Sequence, residues 1–338
     1  MAFPVITRSS FIKQFHEQRD GSRIVCFPFW ELVCAAGCPF RCSYCFLQAT
    51  PSYVFGHYRL SGALFSNWPD MLKELDRWLQ QPTRRMLVVG ELQDGLVFDG
   101  AYRRRTGKSL TEMLIPRFAA QERHDLIFLT KDANTRYAEM FPPSPRVVFS
   151  WSVNSETAAR CWEEGTSPPT KRFEAAEKMK QLGWRIRFRL DPMVPYPDWR
   201  KDYSATTDRI NEIEPEMVTL GALRASNTLR AHARRNGRDD SIFDYLSEKD
   251  PSGFKWRVPF EQQIEMFRFV VNRLDPGIKV ALCKEDVSVW HAVGLEFQGC
   301  HCLLSSSDAL VNERKDVVQE TYISSYNTGS LGKVAVIA

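Results

Sequence analysis

Cys38-Pro-Phe-Arg-Cys42-Ser-Tyr-Cys45 is the stretch that decides how this chain is interpreted. Its CxxxCxxC spacing lets three thiolates bind three irons of a [4Fe–4S] cluster, which leaves the fourth iron open to a small chelating ligand. A structural zinc site with Cys34 as fourth ligand is the alternative, but zinc ribbons usually supply paired CxxC knuckles far apart in sequence. The spacing therefore favours an iron–sulfur cluster.

Outward from this loop, apolar runs alternate with amphipathic segments. We expect strands at residues 23–27, 85–90, 125–131, 146–154, 184–190 and 216–221. We expect helices at residues 69–81, 109–120, 135–141, 170–182, 203–213 and 260–274. Six strands interleaved with helices predict an α/β fold, a partial (β/α)6 TIM-type barrel with a C-terminal extension, whose active site lies at the carboxyl ends of the strands.

The pattern divides the chain into four segments. We expect an N-terminal segment at 1–23, the barrel at 24–226, a polar insertion or loop at 227–259, and a C-terminal cap with a Cys-rich segment and a loose tail at 260–338.

Composition limits the class of protein. The chain has 338 residues, a net charge of +4 and 43% hydrophobic residues, which argues against wholesale disorder. No run of about 18 apolar residues occurs, so we expect no transmembrane helix and no membrane partner. Without a signal-peptide pattern, and with an odd number of cysteines, we expect a cytoplasmic, oxygen-sensitive protein and not a disulfide scaffold.

The cysteine loop resembles that of the radical SAM superfamily, and within it the spore photoproduct lyase family. The resemblance rests on Tyr44-Cys-Phe-Leu-Gln-Ala-Thr50, Phe149-Ser-Trp-Ser-Val-Asn154, Glu164-Gly-Thr-Ser-Pro168 and Arg172-Phe-Glu-Ala-Ala176. It covers residues 24–285. It implies a [4Fe–4S] cluster on Cys38, Cys42 and Cys45, which binds S-adenosylmethionine and cleaves it to a 5′-deoxyadenosyl radical that abstracts hydrogen from substrate.

The same resemblance implies a set of cofactor contacts. They are Gly90 and Glu91 for the methionine ammonium, Lys131 for its carboxylate, and Ser152 on the fourth strand. Strand alternation puts Ser150 and Asn154 on the same face as Ser152, where polar side chains suit a polar ligand, and Tyr44 can pack on the adenine. The alternatives are an ordinary strand-end acid for Glu91 and simple loop packing for Tyr44.

One departure concerns the hydrogen donor. The family's lyase carries a cysteine after its second strand that returns hydrogen to the product radical. The corresponding Gly90-Glu-Leu-Gln-Asp-Gly95 has none, although Asp94 keeps an acidic position. This departure therefore argues against repair of a thymine photoproduct by the family's route.

A second departure is the cysteine set Cys283, Cys300 and Cys302. A possible second metal site, most simply another iron–sulfur cluster, would draw its fourth ligand from Cys34, Cys26, His301 or substrate. The alternative is buried structural cysteine.

Charged residues at strand ends are possible substrate contacts. These are Asp94, Arg187, Arg189, Asp191 and Arg224, and an internal ion-pair network is the alternative. The basic stretch Arg230–Arg238 is either a solvated surface or a phosphate-binding patch.

Three functions compete. The preferred hypothesis is a radical SAM enzyme acting on a small molecule or peptide. The second is a lyase-like enzyme acting on a nucleotide or nucleic acid, and the third is a redox-sensing protein without catalysis. An enzyme of this kind also needs an external one-electron reductant of the flavodoxin or ferredoxin type.

Overall fold

A computed structural model describes residues 3–15, 23–26, 29–50 and 62–297. Its centre is an eight-stranded sheet. The strands are β1 (Ile12–Phe15), β2 (Phe29–Leu32), β3 (Met86–Val89), β4 (Asp125–Thr130), β5 (Val147–Val153), β6 (Arg185–Met193), β7 (Met217–Ala222) and β8 (Lys279–Leu282).

The order of the strands in the sheet equals their order in the chain. Neighbours from β2 to β8 are parallel, and β1 alone pairs antiparallel, with β2. Every residue of β3, β4 and β7 is buried, as expected for parallel strands covered on both faces. The predicted α/β class with a largely parallel sheet is confirmed.

Helices connect the parallel strands. They are α1 (Trp68–Trp78), α2 (Asp99–Thr106), α3 (Leu110–Ala119), α4 (Glu156–Trp162), α5 (Pro169–Gln181), α6 (Trp199–Ile213), α7 (Leu229–Arg235), α8 (Phe260–Val271) and α9 (Val287–Ala292). Local signals set several ends. Ser109 and Glu112 form a capping box at the start of α3, and prolines stand in the first turn of α1 and of α5.

Shorter elements complete the description. The 3₁₀ helices are Phe46–Ala49, Ala138–Met140 and Ser241–Tyr245. The short strands are Val5–Ile6, Ala35–Ala36, Arg41–Cys42, Ala63–Phe65, Glu163–Glu164, Arg224–Ser226, Glu248–Lys249 and Lys255–Arg257.

One sequence expectation was wrong in position. Residues 23–26 form no strand, and the first parallel strand is Phe29–Leu32, because that part of the apolar run pairs with β3. Within residues 227–259, predicted as a polar insertion or loop, the structure has α7 and a hairpin whose strands Glu248–Lys249 and Lys255–Arg257 pair with each other.

The sheet is strongly curled. Val25 N, just before β2, donates to Glu285 O, just after β8, over 3.2 Å. Six strand spacings separate β2 from β8, or about 29 Å on a flat sheet. The two sides of the parallel sheet therefore approach each other, and the carboxyl ends of the strands surround a common centre.

The four-segment division stays a prediction. The sheet continues into the fourth segment, because β8 pairs with β7. Among the described residues, no helix is long and apolar enough to cross a membrane.

Candidate functional site

The cysteine loop lies on a two-stranded ladder. Arg41–Cys42 pairs antiparallel with Glu163–Glu164, and Ser43 N donates to Trp162 O over 2.8 Å. The loop turns back when Cys45 N donates to Cys42 O over 3.2 Å. This backbone pairing fixes the loop against the segment that follows α4.

The three thiols of the loop influence one another electrostatically. Burial raises the pKa of the Cys38 thiol well above its usual range, and raises that of Cys42 to about 12. Burial also raises the pKa of Cys45. Because buried thiolates need a compensating cation, this donor set suits a metal centre.

The three thiols do not converge on a single metal ion. In the described part of the chain, no three His, Cys, Asp or Glu side chains are arranged to hold one metal ion. A cubane places each thiolate on a different iron, so the thiols need not converge on one point. Cys34 lies in the core, where its Sγ contacts Leu32 O at 3.7 Å. The alternative of a zinc site with Cys34 is therefore not supported.

A buried ion pair holds the loop, and sequence reasoning did not predict this pairing. Arg172 and Glu163 are 2.6 Å apart, with side chains 0% and 1% exposed. The Tyr44 hydroxyl donates to the same Glu163 carboxylate. Arg172 also donates to Ser152 O over 2.8 Å and to Ser167 O over 2.7 Å. The pair thus connects the cysteine loop to β5 and to the start of α5.

Lys131 and Ser152, two of the predicted cofactor contacts, lie next to each other. Lys131 Nζ donates to Ser152 Oγ over 2.6 Å, and it lies 5.7 Å from the centre of the Tyr44 ring. The ammonium group also influences the thiols of Cys42 and Cys45 electrostatically. A cation here can pair with a carboxylate bound beside the cysteine loop.

The other two polar residues of β5 and its end are buried. Asn154 donates to Pro192 O over 3.0 Å and accepts from Tyr203 Oη over 3.2 Å. Its amide is therefore used within the fold. Ser150 stands in register with Arg187 and Leu129 of the neighbouring strands.

The loop after β3 is held by Glu31, a residue that sequence reasoning missed. Its carboxylate accepts from the backbone N–H of Glu91 and of Leu92, each over 3.1 Å. Burial raises the pKa of Glu31 well above its usual range, and Glu91 adds to this shift. An acid inside the apolar run Phe29–Leu32 was the available signal.

Gly90 is required by the backbone. Its φ is +141°, and a Cβ there would lie 2.3 Å from Leu129 O. Only glycine fits such a position.

Asp94 connects this loop to the end of β4. It accepts from Thr130 Oγ1 over 2.8 Å and from Lys131 N over 2.7 Å. Leu96 N and Val97 N also donate to it. These four hydrogen bonds give Asp94 a structural role, and its role as a substrate contact stays a prediction.

Arg189 and Asp191 lie in an ion-pair network at the carboxyl end of the sheet. Arg189 contacts Glu91 at 3.3 Å, Asp191 at 3.2 Å and Cys283 Sγ at 3.2 Å. Burial opposes ionisation of Asp191, but Arg189, Arg224, Cys283 and Lys284 together outweigh it and lower its pKa.

Arg224 extends this network to the end of β8. It donates to Lys284 O over 2.7 Å and to Glu285 over 3.2 Å. The expectation of an internal network therefore describes these residues well. Cys283 takes part in it, whereas Cys300 and Cys302 lie outside the described residues.

Two basic features do not face the site as free cations. Arg187 pairs with Glu216, which precedes β7, so it lies toward the amino ends of the strands. Arg230 and Arg234 both pair with Asp240, and Arg230 also pairs with Asp244. These acids neutralise much of the basic stretch, which argues against a phosphate-binding patch there.

Comparisons with known proteins agree on one family. Residues 28–222 match the family model described as spore photoproduct lyase. Spore photoproduct lyase of Bacillus subtilis (strain 168) is 24% identical over 192 residues, which are 54% of this chain and 51% of that protein. The chain thus spans about half the length of the curated relatives it matches.

Solved structures of spore photoproduct lyase share the fold. One cysteine-to-serine variant superposes with a TM-score of 0.63 at 18% identity, covering 82% of each chain. A variant described with bound AdoMet and dinucleoside spore photoproduct has a TM-score of 0.62 at 18% identity, covering 82% of this chain and 80% of that one.

Proposed function

The chain belongs to the spore photoproduct lyase family, and from this premise we propose that it is a radical S-adenosylmethionine enzyme acting on a nucleotide or nucleic acid. The observation that carries the proposal is the position of Lys131. Its ammonium group donates to Ser152 and lies over the ring of Tyr44, which belongs to the cysteine loop. This arrangement places three thiols and one cation at the carboxyl edge of a curled parallel sheet, where such folds bind their substrates.

Cys38, Cys42 and Cys45 would hold a [4Fe–4S] cluster. When bound, the cluster and S-adenosylmethionine supply one-electron cleavage of the sulfonium and a 5′-deoxyadenosyl radical. Lys131 would bind the methionine carboxylate and Glu91 its ammonium. Tyr44 would be fixed beside them by Glu163 and would pack on the adenine. The electron would come from an external reductant of the flavodoxin or ferredoxin type.

The fold would serve this chemistry as a partial barrel of six β/α units with a C-terminal extension. Its winding in chain order and the Val25–Glu285 contact support this architecture. Side chains on its concave face would exclude water from the radical.

The nucleotide substrate is supported by a hairpin at the rim of the sheet. Its second strand pairs with Arg224–Ser226, directly after β7. Phe254 and Trp256 are 53% and 38% exposed, and Lys249 Nζ lies 4.0 Å from the Trp256 ring. Exposed aromatic rings beside lysines can stack on bases and contact phosphates. Solved relatives are described with dinucleoside spore photoproduct, which favours this substrate class over the small molecule or peptide that the sequence alone suggested.

The test is product formation by anaerobically reconstituted protein with dithionite and S-adenosylmethionine. We expect 5′-deoxyadenosine by mass spectrometry, formed faster with dinucleoside spore photoproduct than with the undamaged dinucleotide. A protein that carries about four irons but releases no 5′-deoxyadenosine would overturn the proposal and support a redox sensor.

A small molecule or peptide remains the second candidate substrate, because the Gly90–Gly95 loop has no cysteine to return hydrogen. A rate of 5′-deoxyadenosine formation that no nucleotide increases would support this candidate. The possible second cluster on Cys283, Cys300 and Cys302 also stays a proposal, which iron analysis can test.

A further inference from the structure

Arg238 contacts the cysteine loop although the two are far apart in the sequence. The residue is 5% exposed and follows α7 in the segment that the sequence suggested was a polar loop. Its Nη1 donates to Cys42 O over 2.8 Å, across 196 positions of sequence. Its side chain also hydrogen-bonds the Cys45 thiol.

Several contacts hold Arg238 in this place. Its backbone N donates to Ala233 O over 3.0 Å. Asn236 Nδ2 donates to Gln48 Oε1 over 3.2 Å, and Arg41 donates to Gly237 O over 3.2 Å. The turn after α7 is thus attached to both sides of the cysteine loop. These contacts fix the position of the Arg238 guanidinium.

A guanidinium beside a cluster ligand has a defined physical effect. Hydrogen bonds to cluster sulfurs and nearby charge set the reduction potential of an iron–sulfur cluster. A positive charge stabilises the reduced state, because that state carries one more negative charge. Arginine also keeps its charge at every accessible pH, unlike lysine or histidine.

We propose that Arg238 is a positioning residue that fixes the Cys45 ligand and raises the reduction potential of the cluster. This inference rests on the proposed function, because it assumes a cluster on Cys38, Cys42 and Cys45. The 227–259 segment thereby contacts the cysteine loop and supplies one of the buried cations beside it.

The experiment compares reconstituted wild type with Arg238→Gln, Arg238→Lys and the control Arg235→Gln. Arg235 is exposed at the end of α7, so its replacement leaves the loop contacts intact. The midpoint potential is measured by redox titration followed by EPR, with iron content and apoprotein Tm determined in parallel. We expect the equilibrium constant for reduction of the cluster to fall about tenfold in Arg238→Gln. For one electron this makes the midpoint potential more negative by about 59 mV. Arg238→Lys should shift less, and Arg235→Gln should match wild type.

Each outcome decides the inference. An Arg238→Gln protein with full iron and an unchanged potential overturns it. A folded Arg238→Gln protein that loses iron, with recovery in Arg238→Lys, supports the positioning role. A large drop in apoprotein Tm would assign Arg238 to folding and overturn the inference. Failure of wild type itself to bind iron would instead contradict the proposed function.

Discussion

Arg189 of β6 and Glu91 after β3 form an ion pair, with Nη1 and Oε1 3.3 Å apart, although β4 and β5 lie between their strands. On a flat sheet three strand spacings would separate them by about 14 Å. Their contact therefore depends on the curl of the sheet, and it directs the Glu91 carboxylate toward the concave side. The pair also means that an ammonium group binding Glu91 must share it with Arg189.

Glu91→Gln should weaken binding of S-adenosylmethionine. A hydrogen bond to a charged group contributes about 1.5–3 kcal/mol, so we expect affinity to fall about tenfold or more. Calorimetric titration of the reconstituted protein measures this change, and Glu122→Gln, an exposed acid beyond α3, serves as the control. Unchanged affinity would restrict Glu91 to its ion pair with Arg189.

Iron content tests the cluster ligands. We expect about four irons in wild type and none in a Cys38/Cys42/Cys45→Ala triple variant after anaerobic reconstitution. Cys161→Ala, which removes an exposed cysteine, should keep the wild-type iron. About eight irons in wild type and four in the triple variant would establish a second cluster. Equal iron in wild type and triple variant would refute the assignment of the loop.

Glu163→Gln should destabilise the apoprotein strongly. It leaves the Arg172 guanidinium buried without its carboxylate, a change that costs about 3–5 kcal/mol. Glu164→Gln removes the neighbouring carboxylate, which is 63% exposed and pairs with Arg41, and should cost about 1 kcal/mol or less. Urea denaturation of both variants measures the difference. Similar losses in the two variants would show that the buried pair does not anchor the cysteine loop.

Gly90→Ala should be harmful for reasons of backbone geometry. An alanine here combines backbone strain from the positive φ with a clash, because its Cβ would lie 2.3 Å from Leu129 O. We expect the free energy of unfolding to fall by about 3 kcal/mol or more. Gly107 also has a positive φ of +81°, but a Cβ there meets nothing within 4 Å. Gly107→Ala should therefore cost only about 1 kcal/mol. Thermal unfolding compares the two, and a smaller loss at position 90 than at position 107 would contradict the clash.

His124 should make apoprotein stability depend on pH. Burial lowers its pKa below 6.5, and its ring accepts from Arg85 N at Nδ1 while Nε2 faces Gln81 O. The unfolded chain then binds the proton more readily, so the contribution of His124 is complete above the unfolded pKa and declines as pH falls toward the lower folded value. Urea denaturation at pH 7.5 and 5.5 should show a smaller pH difference in His124→Gln than in wild type. His291→Gln, at an exposed position, should keep the wild-type difference. An undiminished difference in His124→Gln would exclude this residue as the cause.

Much of the fold followed from local patterns. The apolar runs at β3 to β7 and the helices between them predicted a largely parallel sheet, because each pattern lies within one element. The first strand was placed wrongly, because residues 23–27 and Phe29–Leu32 are both apolar enough to form a buried strand. Pairing with β3, which no local pattern reports, selects the second.

The sequence by itself determined that Cys38, Cys42 and Cys45 share one loop, because three thiols within a few residues must lie close together in any fold. It also pointed to Lys131 and Ser152 through their places at and near strand ends. Only the tertiary structure decided what surrounds the loop. Glu163 lies 119 positions from Tyr44, and Arg238 lies 196 positions from Cys42. Contacts over such separations depend on how the sheet curls and on where the segment after α7 packs, and these are consequences of the whole fold, not of any short pattern.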